Sequence, residues 1–235
     1  MITTIGFDAD DTLWHNEVFF RLTQNRFAEL LADYVTPDVL HDQLLTVERR
    51  NLGLYGYGVK GFTLSMIETA LEITKGDVPG RVIAELMATG REMLAHPIDL
   101  LPNAQKTVTE LAESHRIILI TKGDLLDQER KLAQSGLGDL FHGVEIVSDK
   151  TATVYQQVFA RHGAKIDQSM MVGNSLKSDV LPVIAAGGWG VHIPHDLTWA
   201  LEHAEEPIGN PRFRSLTNLA ALSDLVEKIG MDHYI

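Results

Sequence analysis

A short apolar segment that ends in three carboxylates constrains the fold of this chain more than any other feature. Residues 2–7 are mostly apolar or β-branched, which is typical of a buried parallel strand, and Asp8, Asp10 and Asp11 follow where that strand ends. Ligands of open α/β sheets bind outside the carboxyl ends of the strands. Because three crowded acids repel one another, the segment predicts a site for a cation or for proton transfer.

Composition and charge exclude several kinds of partner and chemistry. The 235 residues carry a formal net charge of −12, from 32 acidic and 20 basic residues, so we expect neither nucleic acid nor an anionic membrane as a principal partner. Cysteine is absent, which excludes disulfides, thiolate catalysis and zinc–sulfur sites. No apolar run approaches the roughly 18 residues of a membrane span, and the chain starts with a strand, so we expect a cytoplasmic protein. The oligomeric state stays open.

Residues 15–97 carry helical periodicity and no pattern typical of a buried strand. Apolar residues recur at three- and four-residue steps from near Asn16, and Thr36-Pro37-Asp38 has the composition of a helix start. The segment 52–61 holds four glycines and is predicted to be a loop. Further helices are predicted over about 37–51, 62–75 and 79–95. We therefore expect an inserted all-helical domain over residues 15–97.

The chain beyond Pro102 alternates between helix and strand. Helical segments separate predicted strands over 116–121, 144–148, 169–173, 190–193 and 212–216. Strands connected in this way form right-handed βαβ units and a parallel sheet with helices on both faces. The sequence thus predicts an α/β fold, with a Rossmann-like, mainly parallel sheet flanked by helices over residues 1–14 and 98–235.

Polar residues follow four of these strands, and parallel strands bring such residues to one edge of the sheet. The groups are Asp8-Ala9-Asp10, Thr121-Lys122-Gly123, Ser148-Asp149-Lys150, and Gly173-Asn174-Ser175 with Asp179 shortly after. They supply acids for a hard cation, a hydroxyl and backbone amides for an oxyanion, and a lysine for charge compensation. Mg²⁺ acting on a phosphate ester requires that combination.

These motifs, in this order, resemble those of the haloacid dehalogenase (HAD) superfamily with a helical, C1-type cap. The D-x-D-x-T motif of the family is matched by Asp8-Ala9-Asp10-Asp11-Thr12, its strand-terminal Thr or Ser by Thr121, and its lysine by Lys150. Its last acidic motif is matched by residues 173–179. The resemblance covers the whole chain, because the helical block lies where the family inserts its cap domain.

The resemblance implies a phosphatase that hydrolyses a small phosphomonoester through an aspartyl-phosphate. Asp8 is the expected nucleophile, since covalent catalysis splits one difficult displacement into two easier ones. Asp10 is the expected general acid and base. Lys150 is expected to pair with Asp8 and the phosphoryl group, which reduces repulsion between an anionic nucleophile and an anionic substrate. A small phosphorylated metabolite is the expected partner.

The resemblance also implies a Mg²⁺ site. The expected ligands are the Asp8 carboxylate, the backbone carbonyl of Asp10, and Asp179. Asn174 stands where many phosphatases of this family carry Asp, and it can bind a metal-bound water but adds no negative charge.

Phosphoryl oxygens are expected at Thr121 and at the backbone amides of Lys122 and Gly123. Lys122 stands where the family often has Asn, and it adds a cation beside the phosphate-binding hydroxyl. Tyr57 and Lys60, in the glycine-rich segment of the cap, are candidates for contact with the substrate.

Other functions of the same fold stay open at this point. A 2-haloacid dehalogenase uses the equivalent of Asp8 on carbon without Mg²⁺; such enzymes usually lack an acid at the position of Asp10, whereas Asn174 is compatible with them. A phosphoryl-transferring mutase differs only in the acceptor of the phosphoryl group. A non-catalytic ligand sensor would keep the cleft without turnover.

Overall fold

The structure, a computed structural model, describes residues 1–231 and divides into two compact units. The core unit consists of Met1–His15, Ile98–Lys122 and the chain from Gln128 onward, and the helical unit consists of Asn16–Pro97 and Gly123–Asp127. The sequence predicts a core over residues 1–14 and 98–235 and a helical domain over residues 15–97. It assigned Gly123–Asp127 to the core, whereas the structure groups that segment with the helical unit.

Four helices of the helical unit surround one apolar core. They are α1 (Glu17–Leu30), α2 (Pro37–Tyr55), α3 (Val59–Ile73) and α4 (Gly80–Ala95). Helix α2 begins at Pro37, where the missing N–H of proline removes nothing that the first turn needs. The core is formed by buried side chains that recur at helical spacing: Phe27, Leu31, Leu40, Leu44, Phe62, Met66, Ala70, Val82 and Leu86.

The prediction of a loop over residues 52–61 is wrong for most of that segment. Helix α2 continues through Tyr55 and α3 starts at Val59, so the connection is Gly56-Tyr57-Gly58. Contacts between α2 and α3 stabilise the longer helix, because the Tyr55 hydroxyl donates to Glu68 Oε1 at 2.6 Å and Asn51 Nδ2 donates to Glu68 Oε2 at 3.0 Å. Tertiary contacts of this kind outweigh the weak helix propensity of glycine.

The described part of the core unit contains one six-stranded, fully parallel sheet. Its strands are β1 (Thr4–Phe7), β2 (Arg116–Lys122), β3 (Gly143–Val147), β4 (Ser169–Gly173), β5 (Trp189–His192) and β6 (Phe213–Ser215). Their spatial order is β3-β2-β1-β4-β5-β6, so β1 is central, between β2 and β4. The predicted α/β class with a parallel sheet is confirmed.

Apolar side chains of the sheet alternate between two layers of the core. Ile117 and Leu119 belong to a cluster that includes α5 (Ala104–Ala112), while Ile118 and Ile120 belong to a second cluster. The remaining helices, in chain order, are α6 (Leu125–Ser135), α7 (Ala152–Arg161), α8 (Leu181–Ala185) and α9 (Leu222–Met231). Within residues 1–231, every helix is too short or too polar to span a membrane.

Substitution by alanine is predicted to have opposite effects on stability at two glycines of the helical unit. A Cβ at Gly61 would lie 2.8 Å from the carbonyl oxygen of Gly56, whereas a Cβ at Gly53 would meet no atom within 4 Å. We expect Gly61→Ala to lower the free energy of unfolding by about 1–3 kcal/mol through the forced shift of backbone. We expect Gly53→Ala to raise it by roughly 0.5–1 kcal/mol, because alanine is the better helix former. Urea unfolding of both variants measures the two changes, and equal shifts would contradict the prediction.

Candidate active site

Three charged side chains predicted from separate motifs meet at the carboxyl end of the sheet. Asp8 follows β1 directly, and its N–H donates to the carbonyl of Val172 in β4 at 2.9 Å. Lys150 Nζ donates to Asp8 Oδ1 at 2.5 Å and to Asp179 Oδ1 at 2.7 Å. All three residues are buried, so a cation bridges two carboxylates at a place from which bulk water is excluded.

Burial and charge shift the proton equilibria of this trio. Burial raises the pKa of Asp8 to about 7; Lys150 opposes that shift, and Asp179 adds to it by repulsion. Burial by itself lowers the pKa of Lys150, but the neighbouring carboxylates of Asp179 and Asp8 outweigh it and raise that pKa well above its usual value. Lys150 therefore stays protonated, and its ammonium favours the ionised form of Asp8.

Local structure after β4 fixes the position of Asp179. The chain forms a single π-helical turn over Leu176–Val180, and the backbone N–H of Ser175 donates to Asp179 Oδ2 at 3.0 Å. A Cβ at Gly173 would lie 2.2 Å from the same oxygen, so only glycine permits this approach. Gly173 thus leaves the space that the Asp179 carboxylate occupies.

Thr12 and Asn174 surround the other oxygen of the nucleophile candidate. Thr12 Oγ1 donates to Asp8 Oδ2 at 3.0 Å and accepts from the backbone N–H of Asn174 at 3.1 Å. The Asn174 carboxamide satisfies its hydrogen bonds with its nitrogen 3.3 Å from both Asp8 Oδ2 and the carbonyl oxygen of Asp10. The Asp8 carboxylate and the Asp10 carbonyl therefore both accept from the Asn174 amide.

The donor set fits a small divalent cation. Asp8 Oδ2 and the Asp10 carbonyl are oxygens of the kind that Mg²⁺ takes, and the Asp179 carboxylate is joined to Asp8 through Lys150. Among residues 1–231, no three acidic or imidazole side chains form a metal cluster by themselves. A cation here would thus depend on a main-chain carbonyl and on water in addition to carboxylates, which is usual for Mg²⁺.

Asp10 lies in a second polar cluster, together with Trp14 and with two residues of α6 that the sequence analysis did not identify. Trp14 Nε1 donates to Asp10 Oδ1 at 2.7 Å, and Gln128 Nε2 donates to Asp10 Oδ2 at 3.0 Å. Lys131 Nζ contacts both carboxylate oxygens, at 3.0 and 3.2 Å. Gln128 Nε2 also donates to Thr121 Oγ1 at 2.9 Å. The spacing of three between Gln128 and Lys131, which places them on one helix face, was the available signal.

Lys122 has a different environment from the other predicted cations. Its Nζ donates to Glu202 Oε1 at 2.7 Å and to Ser178 Oγ at 2.8 Å. Burial acts to raise the pKa of Glu202, but Lys122 and the hydroxyls of Ser175 and Ser178 outweigh it, so that pKa lies below its usual value. The cation that Lys122 adds beside Thr121 is therefore held in a partly buried ion pair, whereas its backbone amide was the group expected to bind a phosphoryl oxygen.

The remaining candidates belong to the helical unit. Gly123 has a φ of 132° and is part of the Gly123–Asp127 segment, while Tyr57 is a half-buried residue between α2 and α3. Lys60 Nζ lies 3.4 Å from Asp124 Oδ1, and the Lys60 backbone N–H lies 3.4 Å from Asp124 Oδ2. Lys60 and Asp124 thus join the start of α3 to the segment that follows Gly123.

Comparisons with known proteins agree in one family. The model of the haloacid dehalogenase-like hydrolases matches residues 2–187. A haloacid dehalogenase-like family hydrolase from Xanthomonas campestris is 39% identical, with a TM-score of 0.87 over 97% of this chain and 91% of that one. Glyceraldehyde 3-phosphate phosphatase of Methanothermobacter thermautotrophicus is 24% identical over 88% of this chain and 92% of its own. L-2-haloacid dehalogenase from Xanthobacter autotrophicus shares the fold, at 20% identity and a TM-score of 0.68 over 97% and 99% of the two chains.

The Lys122–Glu202 pair predicts a pH-dependent loss of stability. We expect Glu202→Gln to lower the free energy of unfolding at neutral pH by ~2 kcal/mol, because it leaves a partly buried ammonium without its carboxylate. Since the folded pKa of Glu202 is depressed, its stabilisation is present above the usual value of 4.5 and is lost as the pH falls through the lowered pKa. The difference between wild type and variant should therefore shrink in acid.

Urea unfolding across the acid range measures this difference, with Glu205→Gln, at an exposed neighbouring position, as the matched control. If the difference in the free energy of unfolding between wild type and Glu202→Gln does not change with pH, the stabilising role of the Lys122–Glu202 ion pair is contradicted.

Proposed function

Because the chain belongs to the haloacid dehalogenase-like hydrolases and is therefore a hydrolytic enzyme, we propose that it is a Mg²⁺-dependent phosphatase acting on a small phosphomonoester. The observation that carries the proposal is the Asp10 carboxylate, which is held by three side-chain donors two residues after Asp8. Release of an alkoxide from phosphorus needs a proton donor, and the second carboxyl group can supply one. The name of the phosphatase relative from Methanothermobacter thermautotrophicus supports a phosphorylated metabolite as substrate.

The proposed reaction has two displacements at phosphorus. In the first, a carboxylate oxygen of Asp8 bonds to phosphorus, the bond from phosphorus to the ester oxygen breaks, and Asp10 gives its proton to the departing alkoxide. In the second, Asp10 takes a proton from water, the resulting hydroxide bonds to phosphorus, and the aspartyl-phosphate bond breaks. Inorganic phosphate leaves, and both carboxyl groups return to their starting state.

Charge compensation is the second requirement of the proposal. Lys150 would reduce the repulsion between the Asp8 carboxylate and the phosphoryl group, since its ammonium already contacts Asp8. The Asp8 carboxylate, the carbonyl of Asp10 and Asp179 would hold Mg²⁺, which when bound neutralises charge on the phosphoryl oxygens. The Thr121 hydroxyl would donate a hydrogen bond to a phosphoryl oxygen, and the backbone amides of Lys122 and Gly123 would be further hydrogen-bond donors.

A 2-haloacid dehalogenase is the second candidate, and Asn174 is the observation that favours it. The Asn174 amide approaches Asp8 without adding negative charge, which suits attack on carbon in the absence of a metal. A halide leaves without a proton, however, so a dehalogenase would not need a proton donor at the position of Asp10. We therefore rank phosphoester hydrolysis first.

The proposal predicts phosphate release that depends on both Mg²⁺ and Asp8. With a panel of phosphomonoesters, we expect wild-type release to stop with EDTA and to return with added Mg²⁺. Asp8→Asn is nearly isosteric and should lower kcat by a factor on the order of 10⁴ or more, because it removes the nucleophile. Asp139→Asn, at an exposed position of the core unit, is the matched control and should leave kcat unchanged.

A wild-type protein that releases phosphate from no ester would contradict the phosphatase assignment. Halide release from 2-haloacids, lost in Asp8→Asn and insensitive to EDTA, would establish the second candidate instead.

A further inference from the structure

The donors around Asp10 form a more elaborate arrangement than a turn residue requires. Both carboxylate oxygens accept hydrogen bonds, Oδ1 from Trp14 and Lys131, and Oδ2 from Gln128 and Lys131. The Lys131 ammonium spans the two oxygens, and Trp14 and Gln128 each donate to one of them. The rotation of the carboxyl group is therefore fixed, since turning it would break several hydrogen bonds at once.

Gln128 joins the Asp10 carboxylate to the predicted phosphate-binding hydroxyl. Its Nε2 lies 3.0 Å from Asp10 Oδ2, 2.9 Å from Thr121 Oγ1 and 2.6 Å from the carbonyl oxygen of Lys122. Its own Oε1 is buried without a hydrogen-bond donor among the described residues. A buried acceptor without a donor is unfavourable, so the orientation of Gln128 is set by the groups to which its nitrogen donates.

Helix α6 exposes two leucines in its first turn and buries Gln128 and Lys131 beside the apolar Leu132. Gln128 and Lys131 are 2% and 8% exposed, whereas Leu125 and Leu126 are 61% and 71% exposed. Burying a lysine and a glutamine costs side-chain entropy and desolvation. Neither hydrophobic packing nor helix propensity explains that cost, whereas the contacts with Asp10 do.

We propose that Lys131 and Gln128 are positioning residues that hold the Asp10 carboxyl group for proton exchange with the leaving group and with water. The inference rests on the proposed phosphatase function and adds two residues that act through Asp10. Proton transfer by a placed carboxyl group contributes about 10²–10⁴ in rate, and it requires the acid within hydrogen-bond reach of the ester oxygen. Losing Lys131 would remove the donor that spans both oxygens, would loosen the carboxyl group and would forfeit part of that factor.

The test compares two esters that differ in their need for a proton. A primary alkyl phosphate such as glycerol phosphate has a poor leaving group that must be protonated, whereas p-nitrophenolate leaves readily without a proton. The value of kcat/KM reports the first displacement only, so the ratio of kcat/KM for the two esters isolates the proton donor. Asp10→Asn sets the size of the effect, and it should lower kcat/KM for the alkyl ester much more than for the aryl ester.

Lys131→Met should lower kcat/KM for glycerol phosphate about tenfold more than for p-nitrophenyl phosphate. Lys131→Arg, which keeps the charge and can contact both oxygens, should restore most of the loss. Gln128→Met should change the ratio in the same direction. Lys106→Met, at an exposed lysine of α5, is the matched control and should change neither value.

A double-mutant cycle distinguishes action through Asp10 from an independent effect. In an Asp10→Asn background, Lys131→Met should have no further effect on the ratio, because the group it positions is already gone. Equal losses of kcat/KM for both esters, an unchanged ratio, or an undiminished effect of Lys131→Met in the Asp10→Asn background would each overturn the proposal. If Lys131→Met fails to give a cooperative thermal transition, Lys131→Gln replaces it in the same cycle.

The inference and the proposed function fail in different ways. A wild type without Asp8-dependent phosphate release would refute the function. An active, Asp8-dependent wild type whose ratio is insensitive to Lys131 and Gln128 would refute only the positioning role.

Discussion

The bridge from Lys150 to Asp8 and Asp179 is the interaction on which the site depends. Two buried carboxylates share one ammonium, at 2.5 and 2.7 Å, so one negative charge stays uncompensated within the trio. Burial and that repulsion together raise the pKa of Asp8 to about 7. A divalent cation among these oxygens would reverse the sign of the excess charge and favour an ionised nucleophile. The same electrostatic argument explains why an anionic phosphoester could approach an anionic aspartate.

The two lysines predicted for the site have different partners in the structure. Lys150 touches the nucleophile candidate, whereas Lys122 pairs with Glu202 and Ser178. Glu202 also accepts from the hydroxyl of Ser175, which begins the turn that carries Asp179. The Lys122 pair thus fixes the end of β2 relative to that turn. Positive charge for a phosphoryl group would come from Lys150, a cation and backbone amides instead.

The sheet, and the position of Asp8, Lys150 and Asp179 at one edge of it, could be predicted because both depend on local pattern and on one rule of parallel sheets. Asp8, Lys150 and Asp179 each follow a strand, and parallel strands end at one edge. Glu202 could not be predicted in the same way, since it lies in a short 3₁₀ turn without periodicity, 80 residues from its partner. The α2–α3 connection was misjudged because Tyr55 and Asn51 reach Glu68 on the neighbouring helix, and glycine content carries no information on such contacts.

Gln128 and Lys131 were not predicted as site residues, and the reason is relevant to function. Amphipathic reasoning places Leu125 and Leu126 inside and Gln128 and Lys131 outside, and the structure has the reverse for these four residues. Departures from local rules concentrate at functional sites, where a cost in stability is offset by chemistry. Hydrolysis of a phosphoester and removal of a halide could share the same nucleophile, and they differ in whether the departing group needs a proton. A buried lysine and a buried glutamine arranged around Asp10 would serve the reaction that needs the proton, and would destabilise the protein without a catalytic benefit in the other.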